Sequence, residues 1–310
     1  MRDKLYLVSF LVVSGVLLFL GRHMVQESVL LTEVLTFGAS TAVGVLGLLL
    51  YRLQLQLKAS RKELARKEAE INIAHEVQRA LFPRQLPCGG GLEFAAVCIP
   101  AGGISGDFYD ALQLPDGRQV FAIADISGKG ISAALIMANL QALLRVLTKV
   151  GPEPGEVCRR LNEHLHQVTD ASKFATFFYA NWQPWNRRLT YVNAGHNAPL
   201  LLGNQRRQRL DEGGMPLGMF PNTEFQTGEV FLHPGELLVL FSDGLTEAAN
   251  AKREEFGELR LESLVNTHCK KSLPEIQRIV LDAVQEWAAN QLEDDLTLVL
   301  VRSISHVNDA

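Results

Sequence analysis

Aspartate residues stand at the ends of several apolar runs in the sequence. Asp107 lies in SGDFYD, Asp125 ends VFAIAD, Asp243 ends LLVLFSD, and Asp294 and Asp295 precede LTLVLV. Carboxylates gathered at one place repel unless cations neutralise them, and an all-oxygen ligand set suits hard ions such as Mg²⁺ or Mn²⁺. Each aspartate could instead only start a turn. Spacing along the chain does not decide between the two interpretations, because it does not show which side chains meet in space.

The same region carries a second motif with a competing interpretation. Gly128, Gly130 and Ala133 formally fit the GxGxxG/A pattern of dinucleotide-binding turns, with an apolar run before and a helical run after. That unit requires a second parallel strand that ends in an acidic residue about 20 residues later. Here Gly151 and Pro152 lead into another helical run instead. The dinucleotide interpretation is therefore the weaker of the two.

Alternation of short apolar runs with turn residues after Pro87 predicts a sheet-rich domain. Strands are predicted at LEFAAVCIP, RQVFAIADI, ATFFYANWQ, RLTYVNAG, PLLLG, TGEVFLH, ELLVLFSDG and LTLVLVRS, mostly with antiparallel connections. Helices are predicted at residues 131–149, 154–168 and about 273–289. Two sheets with helices packed outside satisfy this order, which predicts one α+β domain of roughly 220 residues.

The N-terminal residues 1–51 predict a membrane hairpin. Residues 5–21 and 34–51 carry no charge, and each run approaches the ~20 residues that cross a bilayer. A cleaved signal peptide is the alternative for the first run, but GRHMVQES offers no small-residue cleavage site. Basic residues flank the hairpin at its two ends: Arg2, Lys4, Arg52, Lys58, Arg61, Lys62, Arg66 and Lys67. Both ends are therefore expected to face the cytoplasm.

Residues 52–82 predict a linker helix that leads into the sheet-rich domain. No Gly or Pro interrupts residues 52–81, and Pro83 closes the segment. Leu57, Leu64 and Ile71 recur every seven residues and would suit a parallel coiled coil between two copies. Ser60 and Lys67 occupy the partner positions, so a single helix that packs on the following domain is the alternative.

Charge and cysteine content exclude some classes of function. The 310 residues carry a net charge of −4, and residues 1–51 are neutral, so the remainder lacks the basic excess of a nucleic-acid-binding surface. The four cysteines show no CxxC pairing and are expected in a reducing compartment as buried thiols, with no disulfide framework and no zinc site. The cysteines are Cys88, Cys98, Cys158 and Cys269.

Eight motifs in order resemble those of the SpoIIE-like or RsbU-like bacterial serine phosphatases, a branch of the metal-dependent protein phosphatase (PPM, type 2C) superfamily. The motifs, within residues 76–302, are EVQRALFPRQLP, SGDFYDA, ADISGKGISAAL, KFATFFYA, YVNAGHNAPLLL, GMPLGM, LVLFSDGLTEAAN and EDDLTLVLV. The resemblance implies a two-sheet β-sandwich flanked by helices, with two metal ions at one end of the sandwich. It also implies hydrolysis of phosphoserine or phosphothreonine in partner proteins, usually STAS-type anti-anti-sigma factors.

Carried over position by position, the resemblance also implies a ligand set for two Mn²⁺ or Mg²⁺ ions. Asp125 would bridge both ions. Asp125 and Asp243 would hold the metal ions that activate the attacking water, and no protein side chain would act as nucleophile. The implied ligands are Asp107, Asp125, the backbone carbonyl of Ile126, Asp243 and Asp294. Asp294 is preferred to Asp295 because it holds the first position of the family's DDxT pattern, and Asp295 is then expected to support the turn.

Other motif residues keep two interpretations each. His196 in AGHNAP is either a proton donor or a turn and packing histidine. Lys129 either attracts phosphate or is a solvated loop lysine, and Asp110 either holds a metal-bound water or caps local structure. Ser105 stands where the family often has glycine before Gly-Asp, which leaves the implied ligands intact.

The sequence thus predicts a signalling phosphatase anchored in the bacterial cytoplasmic membrane, with its catalytic domain in the cytoplasm. Its expected segments are residues 1–51 (membrane hairpin), 52–82 (linker helix), 83–304 (phosphatase domain) and 305–310 (tail). A phosphorylated STAS-type protein is the expected substrate, and a homodimer is an option. The alternative is a phosphatase-like module that binds partners without turnover. Four retained metal aspartates disfavour it, because unpaired buried charge lowers stability.

Overall fold

A computed structural model describes residues 12–17, 19–22, 29–151, 153–170, 172–203, 206–289 and 291–305. The chain divides into two compact units, Met1–Glu70 and Ile71–Ala310. Parts of the expected first membrane run, including residues 5–11 and 18, lie outside the described residues, as do Arg2, Lys4 and residues 306–310 of the expected tail.

The N-terminal unit is helical wherever it is described. Residues 12–17 and 19–22 are helical, and helix α1 runs without interruption from Val29 to Arg79. The hydroxyls of Ser40 and Thr41 donate to the carbonyls of Thr36 and Phe37, one turn back, so these polar groups are satisfied within the helix. The second apolar run and the expected linker helix therefore form one continuous helix.

Two described helices are long and apolar enough to cross a bilayer, namely Thr32–Arg79 and Ile131–Val150. The apolar window of the first is entirely unburied, whereas the second has a buried face that includes Met137, Leu140 and Leu144. A helix in the core of a globular domain meets the same length and composition criterion. Ile131–Val150 is a helix of that kind, and Thr32–Arg79 is the apolar helix near the N terminus.

Two sheets form the centre of the C-terminal unit, and their strands pair antiparallel except for the parallel pair β5–β8. The strands are β1 (Leu92–Ile99), β2 (Phe108–Gln113), β3 (Gln119–Ile126), β4 (Ala175–Gln183), β5 (Arg188–Ala194), β6 (Leu200–Gly203), β7 (Arg206–Arg209), β8 (Gly213–Gly214), β9 (Gly228–Phe231), β10 (Leu237–Phe241) and β11 (Leu296–Ser303). Sheet A has the order β1-β11-β10-β6-β7, and sheet B has the order β2-β3-β4-β5-β8, with β9 also paired to β5.

Helices cover the outer face of each sheet. They are α2 (Ile131–Val150), α3 (Pro154–Val168), α4 (Asp243–Thr246), α5 (Glu258–His268) and α6 (Leu273–Trp287). A first core lies between sheet B and the helices α2 and α3, and a second lies between sheet A and the helices α5 and α6. A third core joins the inner faces of the two sheets. The unit is thus a helix–sheet–sheet–helix sandwich.

Strict alternation along the strands explains how each sheet has two apolar faces. In β3, Val120 and Ala122 face the helices while Phe121 and Ile123 face sheet A. Strand β10 repeats the pattern in sheet A, where Leu238 is in the central core and its neighbours face α5 and α6. Successive side chains point to opposite faces of a strand, so a continuous apolar run predicts a strand that is buried on both faces.

The expected α+β fold with two sheets is confirmed, and all eight predicted strands and all three predicted helices are present. Sequence reasoning missed β2, β7, β8 and the helices α4 and α5. The buried pair Leu261 and Val265, spaced by four residues after Gly257, is the amphipathic signal that could have found α5.

The expectation of four buried thiols is wrong for two of the cysteines. Cys158 is buried and Cys98 is half-buried, but Cys88 and Cys269 are exposed. Cys88 follows Pro87 in a loop, and Cys269 follows the last residue of α5. Neither residue stands on the inward face of a strand or helix, which is why neither is covered.

Candidate active site

The strand pairing places the predicted carboxylates at one end of the sandwich. Asp107 immediately precedes β2, and Asp125 is the penultimate residue of its antiparallel partner β3. The two positions are therefore adjacent in sheet B. In sheet A, Asp243 follows β10, and Asp294 and Asp295 precede its antiparallel partner β11. The Thr297 hydroxyl donates to Asp107 Oδ2 at 2.7 Å, which joins the two sheets at this end.

The electrostatics of these carboxylates show that their charges are close and poorly compensated. Burial, and then the charge of Asp125, raise the pKa of Asp107 well above its usual range. Burial, followed by the charges of Asp243 and Asp294, raises the pKa of Asp125 to about 6. The pKa of Asp243 is raised by burial and by Asp294. Mutual repulsion of this kind favours protonation or a bound cation.

Asp295 has a different role from its neighbour. Its carboxylate accepts hydrogen bonds from the Ala101 amide (2.9 Å), the Ser105 hydroxyl (3.0 Å) and the Gly106 amide (2.7 Å). It therefore holds the loop that carries Asp107. Ser105 also accepts from the Asp107 amide at 3.0 Å, so the serine at this position has a structural use that the sequence did not reveal.

Two glycines allow the loops to meet. A Cβ on Gly244 would lie 2.2 Å from the Asp295 carbonyl oxygen, and a Cβ on Gly106 would lie 3.2 Å from the Ile126 carbonyl oxygen. A side chain at Gly244 is therefore excluded by the backbone of the neighbouring loop. The Ile126 carbonyl, the one backbone ligand expected from the sequence, faces the same loop as Asp107.

Lys129 contacts the cluster from the loop between β3 and α2. Its ammonium lies 2.8 Å from Asp294 Oδ2 and donates to the Glu293 carbonyl at 2.7 Å. Lys129 is thus a largely exposed loop lysine that also forms an ion pair with Asp294.

The donor set fits hard divalent cations, because carboxylates and a backbone carbonyl are the ligands that such ions prefer. Among the described residues, no three His, Cys, Asp or Glu side chains are arranged to hold a metal ion. Repulsion between the carboxylates and the ion pair of Asp294 with Lys129 both oppose closure of the set around one point. The residues therefore fit a metal centre in the chemistry of their donor atoms, and the side chains would have to move closer together to hold the ions.

Three other motif interpretations are settled by contacts. His196 is buried, its Nδ1 lies 2.8 Å from Thr176 Oγ1, and its amide donates to Asn193 Oδ1, as a packing histidine would. Burial lowers the pKa of His196 to about 4. Asp110 pairs with Arg145 at 2.6 Å. The dinucleotide interpretation fails because both neighbours of β3, which are β2 and β4, are antiparallel to it.

Sequence reasoning missed the residues that orient the carboxylates. Thr297 and Ser242 lower the pKa of Asp107 by hydrogen bonding to its carboxylate, against the stronger effect of burial. The Ser242 hydroxyl also donates to the Asp295 carbonyl at 3.1 Å. The hydroxyl residue in EDDLT and the serine in FSDG are the signals that could have found them.

The two-sheet sandwich flanked by helices matches solved structures of PP2C phosphatase domains. The SiaA-PP2C domain of Pseudomonas aeruginosa matches with a TM-score of 0.69 and 20% identity, over 80% of this chain and 99% of that one. RsbX in complex with magnesium matches with a TM-score of 0.51 and 19% identity, over 70% of this chain and 98% of that one. These similarities establish the fold.

Sequence comparisons identify the family. The model of stage II sporulation protein E (SpoIIE) matches residues 115–303. Phosphoserine phosphatase RsbU of Bacillus subtilis (strain 168) is 34% identical over 241 residues, which cover 76% of this chain and 70% of RsbU. Phosphoserine phosphatase RsbP of the same organism is 28% identical over 204 residues, which cover 64% of this chain and 49% of RsbP. The chain belongs to the SpoIIE family and carries a protein serine phosphatase domain, which confirms the resemblance found in the sequence.

Proposed function

We propose that this protein is a membrane-anchored, metal-dependent phosphatase that removes phosphate from phosphoserine or phosphothreonine of a signalling protein. The observation that carries the proposal is the cluster of Asp107, Asp125 and Asp243, whose pKa values are all raised by burial and by neighbouring carboxylates. Unpaired buried charge lowers stability, so a cluster of this kind calls for a bound cation.

The residues that would hold the two divalent ions are Asp125 for both, Asp107 and the Ile126 carbonyl for one, and Asp243 and Asp294 for the other. When bound, such ions neutralise phosphate charge and supply a nucleophilic water at neutral pH. The RsbX structure that this fold matches is a complex with magnesium, which supports Mg²⁺ or Mn²⁺ as the ions here.

The residues of the chain position the reacting groups. Thr297 fixes one oxygen of Asp107, and Asp295 holds the loop on which Asp107 lies. The reaction forms a bond between phosphorus and a water oxygen and breaks the bond between phosphorus and the seryl oxygen, which leaves as the hydroxyl after gaining a proton. No covalent enzyme intermediate is needed, so no side chain is assigned as nucleophile.

A signalling protein is proposed as substrate because the relatives with the same domain are named phosphoserine phosphatases. Within this class we favour a phosphorylated STAS-type anti-anti-sigma protein, on the family resemblance of the motifs.

Membrane anchoring is proposed from the apolar part of α1 and the preceding apolar run. Thr32–Arg79 is apolar over a bilayer-spanning window that is unburied, and six basic residues follow that window between residues 52 and 67. This charge pattern supports a cytoplasmic catalytic domain. We also propose that two copies associate through Leu57 and Leu64, which are exposed on α1 and seven residues apart.

The decisive experiment measures phosphate release from a phosphoserine protein by the full chain in detergent micelles. We expect activity to vanish after exhaustive chelation and to return with Mn²⁺ or Mg²⁺. Unchanged activity after chelation would refute the metal-dependent mechanism. A phosphorylated STAS protein should be hydrolysed faster than a short phosphoserine peptide of the same sequence, and equal rates would refute recognition of a folded partner.

A further inference from the structure

The ion pair between Lys129 and Asp294 lies at the edge of the carboxylate cluster. The ammonium of Lys129 contacts Asp294 Oδ2 at 2.8 Å and the Glu293 carbonyl at 2.7 Å. The loop that precedes β11 thus binds this ammonium through two oxygens. The side chains of Lys129 and Asp294 are 64% and 47% exposed, so solvent and ions can reach the pair.

Asp294 differs in this respect from the other proposed ligands. Among the described residues, it is the member of the set formed by Asp107, Asp125, Asp243 and Asp294 with a basic side chain within 4 Å of its carboxylate. A lysine ammonium is a compact cation, and it uses the same carboxylate lone pairs that a divalent ion would need. The ammonium also places a positive charge against Asp294 Oδ2, which repels a divalent cation at that oxygen.

We propose that Lys129 is an internal counter-ion of Asp294, which competes with the divalent cation for this carboxylate and so weakens cation binding. The inference rests on the proposed function, because it takes Asp294 as a ligand. In the structure Lys129 neutralises part of the charge of Asp294. A divalent cation held by Asp294 would displace the ammonium from this carboxylate.

The chain offers a matched control that contacts the same loop before β11. Arg253 pairs with the Glu293 carboxylate at 2.7 Å, and both side chains are largely exposed. Arg253→Gln therefore removes one positive charge beside the cluster without touching Asp294. Lys129→Gln removes the same charge and also frees Asp294, whereas Lys129→Arg keeps the charge.

The test is calorimetric titration of the full chain in detergent with Mn²⁺, after removal of endogenous metal. We expect Lys129→Gln to bind Mn²⁺ about two- to fivefold more tightly than the wild type, the factor expected for an exposed ion pair. Lys129→Arg should stay near the wild type, and Arg253→Gln should change affinity less than Lys129→Gln. Equal thermal unfolding of all variants in chelator would show that they fold alike.

Equal or weaker Mn²⁺ binding by Lys129→Gln, compared with Arg253→Gln, would overturn the counter-ion role while leaving the metal-dependent mechanism intact. Absence of Mn²⁺ binding to the wild-type chain would overturn the proposed function, and this inference with it. The two failures are therefore distinguished by the wild-type titration alone.

Discussion

Two buried aspartates of the motif SGDFYD lie three residues apart and have opposite surroundings. Asp107 is 2% exposed and Asp110 is 3% exposed. The Asp110 carboxylate accepts two hydrogen bonds from the Arg145 guanidinium, at 2.6 and 3.2 Å, and a longer one from the Gln141 amide at 3.4 Å. Asp107 instead accepts a hydrogen bond from the Thr297 hydroxyl and faces the charge of Asp125.

The difference separates a carboxylate that is compensated within the protein from a proposed metal ligand. A buried charge with a matched guanidinium partner is compensated within the protein, whereas one that faces further carboxylates is compensated only by protons or by an added cation. Arg145 also donates to the Leu81 carbonyl at 3.1 Å, so the Asp110 pair fastens α2 to the segment that follows α1. In the uncompensated cluster, Asp107 has no basic partner among the described residues and contacts sheet A through the neutral hydroxyl of Thr297.

Asp125→Asn should have the largest effect, because this side chain is the proposed shared ligand. We expect phosphatase activity to fall by more than the ~10–100-fold that loss of an outer-shell partner costs. The pKa of Asp125 is raised to about 6 in the folded protein. Ionised Asp125 therefore lowers the free energy of unfolding at pH values above the usual pKa of an aspartate. The variant in chelator at pH 8 should therefore be at least as stable as the wild type, measured by thermal unfolding. A large loss of stability would mean that Asp125 is compensated, as Asp110 is.

Arg145→Met tests the other member of the comparison. It leaves the Asp110 carboxylate buried without its partner, which typically costs about 3 kcal/mol, and somewhat less here since Arg145 is 38% exposed. The measurement is urea unfolding of the full chain in detergent, followed by fluorescence of the buried Trp182. The double variant Arg145→Met/Asp110→Leu should recover most of the loss. If Arg145→Met is neutral, Asp110 is not held by this pair.

The sequence predicted most of the sandwich because strands buried on both faces are continuous apolar runs, as in VFAIADI and LLVLF. It also predicted which aspartates would stand at strand ends. It could not predict that Asp110 pairs with Arg145, 35 residues away, or that Lys129 contacts Asp294 across 165 residues, because such pairs follow from how α2 and the loops pack. Strands β7 and β8 were missed because they are short, and β7 is strongly basic.

Gln78→Ala tests whether the end of α1 supports the uncompensated cluster. The buried Gln78 amide donates to the Ser105 carbonyl at 2.6 Å and accepts from the Ser105 amide at 2.8 Å, and Ser105 in turn holds the Asp107 amide. We expect about a tenfold loss of kcat/KM and a higher Mn²⁺ concentration for half-maximal activity, as for an outer-shell contact. Arg79→Ala, an exposed neighbour on the same turn, is the control. Equal effects of the two variants would show that the Ser105 contact is dispensable.

His196→Gln should have the smallest effect, and one that depends on pH. Burial lowers the pKa of His196 to about 4 in the folded protein, against about 6.5 in an unfolded chain. Between these pH values the unfolded state binds more protons than the folded state. His196 therefore lowers the free energy of unfolding as the pH falls from 6.5 to 4, and it causes no further loss below pH 4. Relative to the variant, the wild type should lose about 1 kcal/mol of unfolding free energy between pH 7.5 and pH 5.5. Urea unfolding at the two pH values measures this difference. Parallel pH dependence of both proteins would mean that His196 is solvated, and it would then rejoin the candidates for proton transfer at this end of the sandwich.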